Sequence, residues 1–223
     1  FPDMDATLEL VPALVAAGAD AVELGIPFSD PLAEGPIIQE SSFRALKNGT
    51  NLGDCLKIAE VLRNRIPNTP LILMGYYNPI YSYGLVSFTD RCQQAEVDGL
   101  IVVDLPGFEA TPMAAECKTR NISMIPLLAP TSTNESIRDS CSGASGFVYC
   151  ISVTGVTGVR DQVSDRSFDL LDRVRTHTDL PLAVGFGISS RAHVQEVGNN
   201  AEAAVVGSAL IKVMLDSPRE ELV

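Results

Sequence analysis

The alternation of short apolar runs with amphipathic segments constrains the fold of this chain more than any other feature of its sequence. The apolar runs have strand length, show little polar alternation and are bounded by Gly, Pro or Asp. Seven of them can be recognised: Asp20–Leu24, Leu71–Met74, Leu100–Val103, Ser123–Leu127, Gly146–Ile151, Leu182–Gly185 and Ala203–Val206. Such runs are typical of parallel strands that are buried on both faces.

Amphipathic segments around these runs predict helices. There are eight: Ala6–Ala17, Cys55–Arg65, Leu85–Glu96, Glu109–Arg120, Glu135–Cys141, Ser167–Arg175, Arg191–Val197 and Leu210–Leu215. Strand–helix alternation fits either an open doubly wound sheet or a closed barrel. Because the chain begins with a helix, we expect a first strand upstream of Phe1, and that strand plus the visible units favours a parallel (β/α)8 TIM barrel. We expect residues 1–223 to form a single barrel domain that is incomplete at its N-terminus.

Composition narrows the class of partner. With 28 Asp and Glu against 16 Lys and Arg, the formal net charge is −12, which argues against nucleic acid or an anionic membrane surface as a partner. No run approaches the ~20 apolar residues of a membrane span. The cysteines are odd in number and form no Cys-x-x-Cys pair, which favours buried, reduced thiols in a cytoplasmic protein over disulfides or zinc. We therefore expect no metal site.

Glu23 is the first candidate for a catalytic group. A period of two along its strand turns Val22 and Leu24 toward the helices and Glu23 into the mouth of the barrel, where the chemistry of this fold collects. The usual alternative is a local salt bridge, but the first 42 residues contain no basic residue. Burial would raise the pKa of such a carboxyl, which suits a group that both gives and accepts a proton near neutral pH.

The loop after this strand and a later strand add three further candidates. Glu34 lies in a segment rich in Pro and Gly beside the same mouth, whereas Asp30 is equally well explained as a solvated turn residue. Tyr149 shares a strand face with Phe147, so it either fills the barrel interior or touches a ligand.

Glycine turns after the last strands predict a phosphate site. They are Gly155–Gly158, Gly185–Ser189 and Gly207–Ser208, the last of which opens a helix. Backbone N–H groups crowd around an anion at such turns, and a helix N-terminus adds a favourable dipole. The loops after the seventh and eighth strands are the usual phosphate position of a (β/α)8 barrel.

These motifs together resemble the tryptophan synthase α subunit family, and the resemblance covers essentially the whole chain. It is carried by Gly18–Gly25, Pro27–Ala33, Asp104–Pro106, Val153–Gly158, Gly185–Ser189 and Val206–Ala209. The resemblance implies a lyase that cleaves indole-3-glycerol phosphate by retro-aldol chemistry to indole and glyceraldehyde 3-phosphate in tryptophan biosynthesis. Relative to the family, the first strand before Phe1 and part of the C-terminal helix after Val223 are expected to be absent.

The resemblance also implies roles for individual residues. Glu23 matches the family's catalytic glutamate, Tyr149 matches its active-site tyrosine, and Glu34 stands where the family has an aspartate bound to the indole nitrogen. The implied substrate-binding residues are Ile38, Leu73, Tyr76, Ile101 and Phe186 around the indole ring, Gly158, Gly187, Gly207 and Ser208 around the phosphate, and Thr157 in a loop that orders over the ligand. The implied partner-facing residues are Asp30, Pro31 and Asp104.

The implied partner is a β subunit, in an αββα heterotetramer. Pyridoxal phosphate is expected in that partner, and no cofactor is expected in this chain, because no lysine here stands in an obvious Schiff-base setting. Two alternatives stay open. Glu34 in place of the aspartate fits a weakly catalytic barrel that mainly binds and activates the β subunit, and the glycine turns also fit another phosphate-binding barrel, such as an isomerase.

Overall fold

The computed structural model describes residues 3–151, 165–185, 187–218 and 221. Within these residues it contains eight strands and ten helices. The strands are β1 Val22–Gly25, β2 Leu71–Gly75, β3 Gly99–Val102, β4 Ser123–Met124, β5 Leu127–Leu128, β6 Val148–Ile151, β7 Leu182–Gly185 and β8 Ala203–Val205. The helices are α1 Met4–Ala16, α2 Pro36–Lys47, α3 Leu52–Arg65, α4 Tyr77–Tyr83, α5 Leu85–Gln94, α6 Thr111–Thr119, α7 Asn134–Ser142, α8 Asp165–Arg175, α9 Arg191–Gly198 and α10 Ser208–Asp216.

The strands form two four-stranded sheets, in the orders β1-β2-β3-β4 and β5-β6-β7-β8. In the first sheet β2 lies parallel to both β1 and β3. In the second sheet each strand lies parallel to the next. The prediction of parallel strands is therefore confirmed. Burial differs among them, because β3 and β7 are buried along their whole length, whereas β8 has no fully buried residue.

One predicted strand is wrong. The run Ser123–Leu127 was expected to be continuous, but it divides into β4 and β5, which belong to different sheets. Pro126 lies between them and has no N–H to donate to a ladder, although its carbonyl still accepts the N–H of Tyr149 at 3.0 Å. A proline inside an apolar run interrupts strand pairing for this reason.

Two helices were not predicted from the sequence. Helix α2 begins at Pro36, whose fixed φ suits a first helical turn, but Ser41 is its only buried residue and Phe43 is 63% exposed. Its apolar side chains Ile37, Ile38 and Leu46 are only partly buried, so the helix contributes little to the core. Helix α4 has only seven residues and stops at Gly84, which adopts φ 94°. A helix of that length is too short for a periodic pattern to be recognised.

The chain divides into two compact units. The first comprises Phe1–Leu105, Pro112–Ser123 and Ile211–Val223, and the second comprises Pro106–Thr111 and Met124–Leu210. The core of the first includes the fully buried side chains of Leu56, Leu62, Leu71, Phe88 and Leu100, and that of the second those of Leu128, Ile137, Val148, Leu170 and Leu182. That residues 1–223 form a single domain stays a prediction.

The thiols behave as predicted. All five cysteines are buried and none forms a disulfide. Burial raises the thiol pKa of Cys55 to about 12, which makes that thiol unreactive. In the part of the chain that the structure describes, no cluster of three or more His, Cys, Asp or Glu could hold a metal ion. Across the same residues, no helix has both the length and the apolar character to cross a membrane.

Arg63 fastens the turn after α3 to the start of β3. Its guanidinium donates to the carbonyls of Thr69 at 3.1 Å and Glu96 at 2.7 Å, and to the carboxylate of Asp98. The same Asp98 carboxylate accepts the N–H of Leu71, the first residue of β2, at 2.7 Å. The Arg63 side chain is only 12% exposed, so its loss would remove several hydrogen bonds at once, of which the one to Thr69 is partly buried.

We expect Arg63→Met to lower the free energy of unfolding by about 2 kcal/mol, because several hydrogen bonds to a largely buried guanidinium are lost together. Urea denaturation measures the change. Arg44→Met is the matched control, since Arg44 forms an i,i+4 pair with Glu40 in which both side chains are about half exposed, and such pairs contribute less than about 0.5 kcal/mol. Equal losses in the two variants would contradict the role of Arg63.

Candidate active site

Glu23 lies in the middle of β1 and is partly buried, and no cationic group of the described residues pairs with it. Its neighbour in β2 is Ile72, so it shares a sheet face with that residue and not with the buried Val22. Burial, and secondarily the negative charge of Glu34, raises the pKa of Glu23 to about 7. A carboxyl with such a pKa can hold or release a proton near neutral pH.

Glu34 ends the loop between β1 and α2, and its backbone is held on both sides. Its N–H donates to the carbonyl of Pro31 at 3.1 Å, and its carbonyl accepts from the side chain of Gln39 at 2.9 Å. The side chain is partly buried, and this burial raises the pKa of its carboxyl.

The structure brings the two carboxyl groups close enough to interact. The charge of Glu34 raises the pKa of Glu23, whereas the pKa of Glu34 rises through burial. It follows that Glu34 loses its proton first and that Glu23 keeps its own to about neutrality. Two carboxyls with separated pKa values are a common way to obtain one acid and one anion in the same site.

Strand register shows which of the predicted apolar residues lie on the same sheet face as Glu23. Leu73 pairs with Leu24, so both project to the face opposite Glu23. Met74 lies on the face of Glu23, and its partner in β3 is Ile101, which is 1% exposed. The register therefore places Met74, and not Leu73, on the sheet face of the carboxyls. Met74 was not predicted from the sequence, although a period of two from Glu23 through Ile72 would identify it.

Tyr76 and Ile38 lie in the same compact unit. Tyr76 directly follows β2 and is 6% exposed, and its ring centroid lies 5.1 Å from that of Phe28. Ile38 is partly buried in the first turn of α2. Phe186, the remaining residue predicted at the indole ring, lies outside the described residues.

Tyr149 lies across the end of β7. It pairs with Ala183, and a Cβ atom added to Gly185 would fall 2.0 Å from the Tyr149 hydroxyl oxygen and 2.5 Å from Cζ. The Tyr149 side chain, 8% exposed, therefore occupies the space that any larger residue at position 185 would need. This contact gives Gly185 a steric role that its position in a glycine turn did not predict.

We expect Gly185→Ala to destabilise the protein by about 2 kcal/mol, as overpacking at a buried site does, because the Tyr149 ring must move away. Urea denaturation measures this loss. The control is Gly198→Ala at the end of α9, where an added Cβ meets nothing within 4 Å, so stability there should be unchanged or slightly higher. Unchanged stability in Gly185→Ala would contradict this prediction, because it would show that the Tyr149 ring moves aside without an energetic cost.

The predicted phosphate residues follow two paired strands in the second compact unit. Gly187 comes after β7 and adopts φ 79°, a conformation that favours glycine. Gly207 and Ser208 come after β8, and Ser208 is the first residue of α10. Since β7 and β8 are parallel neighbours with Gly185 opposite Val205, their following turns leave the same edge of the sheet. Thr157 and Gly158, the other predicted ligand contacts, lie outside the described residues.

The residues predicted to face a partner lie in two loops of the first unit. Asp30 is exposed and Pro31 partly buried, and the adjacent Leu32 is 92% exposed. Asp104, after β3, accepts the N–H of Tyr77 at 2.7 Å and so links its loop to the start of α4. Leu32 was not predicted to face a partner, and a single exposed apolar side chain is common on protein surfaces.

Comparison with known proteins gives one consistent result. The family model described as "Tryptophan synthase alpha chain" matches residues 1–222. The chain is 48% identical over 223 residues to the tryptophan synthase alpha chain of Roseiflexus sp. (strain RS-1), covering 100% of this chain and 85% of the relative. It is 49% identical over 211 residues to that of Chloroflexus aggregans, covering 95% of this chain and 79% of the relative.

Solved structures agree with the sequence relatives. A chain from the tryptophan synthase a2b2 complex of Pyrococcus furiosus superposes with a TM-score of 0.93 and 41% identity, covering 99% of this chain and 89% of that one. A chain from tryptophan synthase of M. tuberculosis, in an open form with BRD0059 bound, superposes with a TM-score of 0.89 and 32% identity, covering 99% and 84%.

Proposed function

The chain belongs to the tryptophan synthase alpha chain family, a lyase family of (β/α)8 barrels, and from this premise we propose that Glu23 and Glu34 perform the retro-aldol cleavage of indole-3-glycerol phosphate. The fold class and the function predicted from the sequence are thereby confirmed; the roles of individual residues are proposals. The observation that carries them is the pair of interacting, partly buried carboxyls, of which Glu23 has a pKa of about 7.

Glu23 begins the reaction as the neutral acid. It donates its proton to indole C3, and the ring nitrogen takes up the positive charge that results. The Glu23 carboxylate then accepts the proton of the glycerol hydroxyl adjacent to the scissile bond. As the aldehyde C=O forms, the C–C bond breaks and its electrons return to the ring, which releases indole and glyceraldehyde 3-phosphate and leaves Glu23 protonated again.

Glu34 supplies the complementary negative charge. As the ionised member of the pair, it accepts a hydrogen bond from the indole N–H and stabilises the cation that forms when C3 is protonated. A fixed charge that is aimed at a developing opposite charge commonly lowers a barrier by several kcal/mol. The asymmetry between the two carboxyls supports this division of work, because Glu23 still holds its proton at pH values below its pKa of about 7.

The remaining predicted residues bind the parts of the substrate that do not react. We assign Ile38, Tyr76 and Ile101, together with Met74 and with Phe186, to the indole ring, and Leu73 to the packing behind it. Backbone N–H groups of Gly187, Gly207 and Ser208, with Gly158, hold the phosphate, and Thr157 orders over it. Tyr149 contacts the ligand. Binding of this kind orients the scissile bond and restricts its motion.

The partner is a β subunit. The Pyrococcus furiosus neighbour is described as part of an a2b2 complex, and we propose the same αββα arrangement for this chain, with Asp30, Pro31 and Asp104 in the loops that face the partner. Pyridoxal phosphate is then held by the β subunit, and the chain acts in the cytoplasm.

The test is release of indole from indole-3-glycerol phosphate by the unmodified chain, with and without its β subunit. We expect indole in both assays and a faster rate in the complex. No indole in either assay would contradict the lyase and favour the alternative that Glu34 suggests, a barrel that mainly activates the β subunit. Turnover of a phosphoribosyl substrate in place of the indole compound would favour an isomerase.

A further inference from the structure

We propose that Tyr76 is a positioning residue: its hydroxyl, by accepting the backbone N–H of Ala33, holds the loop that carries Glu34 so that this carboxylate reaches the indole nitrogen. The proposal rests on the proposed function and adds to it. The resemblance assigned Tyr76 only an apolar role beside the indole ring. The structure gives its hydroxyl a separate task.

The central contact is a hydrogen bond between segments that are distant in sequence. The Ala33 N–H donates to the Tyr76 hydroxyl at 3.0 Å across 43 residues. Ala33 immediately precedes Glu34, so the held N–H is one residue away from the side chain that is to be placed. Tyr76 itself is well placed to serve as an anchor, because it is 6% exposed and directly follows β2, whose register with β1 is fixed.

A second contact holds the beginning of the same loop. The Phe28 ring packs on the Tyr76 ring with centroids 5.1 Å apart and planes tilted by 32°. The backbone of Phe28 is fixed to α2, since its N–H donates to the Ser42 hydroxyl at 2.9 Å and its carbonyl accepts from that hydroxyl at 3.0 Å. Tyr76 therefore touches the loop at both ends, by its ring at Phe28 and by its hydroxyl at Ala33.

The electrostatics agree with this placement. Burial, opposed by the Ala33 hydrogen bond and reinforced by the charges of Glu34 and Asp104, raises the pKa of the Tyr76 phenol. The hydroxyl therefore stays neutral while it accepts the Ala33 N–H.

The length of the Glu34 side chain makes an anchor necessary. A glutamate carboxylate stands at the end of a side chain with three rotatable bonds, so it has many conformations available for the same backbone. Fixing the backbone at Ala33 restricts where those conformations can reach. Catalytic groups must be held within about 0.5 Å of their productive positions, and a displacement of 1 Å can lower a rate ~100-fold.

Tyr76→Phe tests the proposal, because it removes the acceptor and keeps the ring that packs on Phe28. In the complex with the β subunit we expect kcat for indole release to fall about 10-fold with KM changed less than about 3-fold. In the free chain, hydrogen exchange at the Ala33 amide, followed by NMR, should become at least about 10-fold faster as its hydrogen bond is lost. Tyr81→Phe, at a position 68% exposed in α4, should alter neither quantity.

A double-mutant cycle separates positioning from a general structural effect. If Tyr76 acts through Glu34, then Tyr76→Phe should change kcat less than about 2-fold in a Glu34→Ala background, because interacting residues are not additive. An equal loss in both backgrounds would overturn the proposal, and so would unchanged exchange at Ala33. Absence of indole release by the parent would instead count against the proposed function, and the exchange measurement would still decide whether the anchor exists.

Discussion

Glu23→Gln is expected to lower kcat for indole release by about 1000-fold or more, which is within the range contributed by general acid–base groups. The amide keeps the size of the side chain but can neither give its proton to indole C3 nor accept one from the glycerol hydroxyl. Because no other part of the site changes, the affinity for substrate should remain within a few-fold. Steady-state kinetics with the β subunit measures both quantities, and a near-parental kcat would exclude Glu23 as the acid–base group.

The same substitution should stabilise the protein at alkaline pH. The folded state holds the Glu23 proton up to a pKa of about 7, raised from 4.5, whereas the unfolded state releases it near 4.5. Folding therefore loses stability as pH rises from 4.5 to 7, by up to about 3 kcal/mol at ~1.4 kcal/mol per pKa unit. Above pH 7, Glu23→Gln should be more stable than the parent by up to about this amount.

Urea denaturation at pH 5 and pH 8 measures this gain. The advantage of Glu23→Gln over the parent should be small at pH 5 and large at pH 8. Glu109→Gln, at an exposed position, serves as the control for removing a charge and should show no such change. A constant difference between parent and Glu23→Gln at both pH values would mean that burial does not perturb the carboxyl.

Glu34→Ala is expected to have the second largest effect, a fall in kcat of about 100-fold to 1000-fold, which is typical when one stabilising group is removed from a developing charge. Without the Glu34 carboxylate, nothing offsets the positive charge at the indole nitrogen when C3 is protonated. Glu40→Ala on α2 is the matched control, because Glu40 is an exposed glutamate that pairs with Arg44, and its loss should leave kcat unchanged.

Glu34→Asp tests whether the pocket still fits an aspartate at position 34 or has been rebuilt around the glutamate. We expect it to preserve kcat or raise it, because the aspartate restores the side chain that the family has at this position. A loss as large as that of Glu34→Ala would show instead that the pocket has been rebuilt around the longer glutamate. The values of kcat in Glu34→Asp and Glu34→Ala therefore show separately how much activity requires a negative charge at position 34 and how much requires the length of the glutamate side chain.

The sequence was most informative where a pattern is local. Strands β2 and β7 begin at their predicted residues, because an apolar run and the Pro or Gly that bounds it can be recognised from the sequence of that segment alone. Period two along β1 was enough to single out Glu23. Helix α2 was not predicted, although Pro36 is a favourable first residue of a helix, and β4 and β5 were joined because Pro126 was not weighed as a break in pairing.

Contacts between distant residues were beyond sequence reasoning. Nothing in the sequence relates Tyr76 to Ala33, or the Tyr149 ring to Gly185, since each contact depends on strand register and loop geometry. Register also decides between Leu73 and Met74, which are adjacent in the chain but lie on opposite faces of β2. The chemical types in the site were therefore predictable, whereas their mutual placement was not.

The central claim is that Glu23 works as a neutral acid beside an ionised Glu34, and the pH dependence of kcat/KM for indole release tests it most directly. We expect kcat/KM to fall above a pKa of about 7, where Glu23 loses its proton, and this pKa to be lower in Glu34→Gln because the neighbouring charge is gone. A kcat/KM that stays constant from pH 6 to pH 9 would contradict it, as would an inflection that does not move in Glu34→Gln.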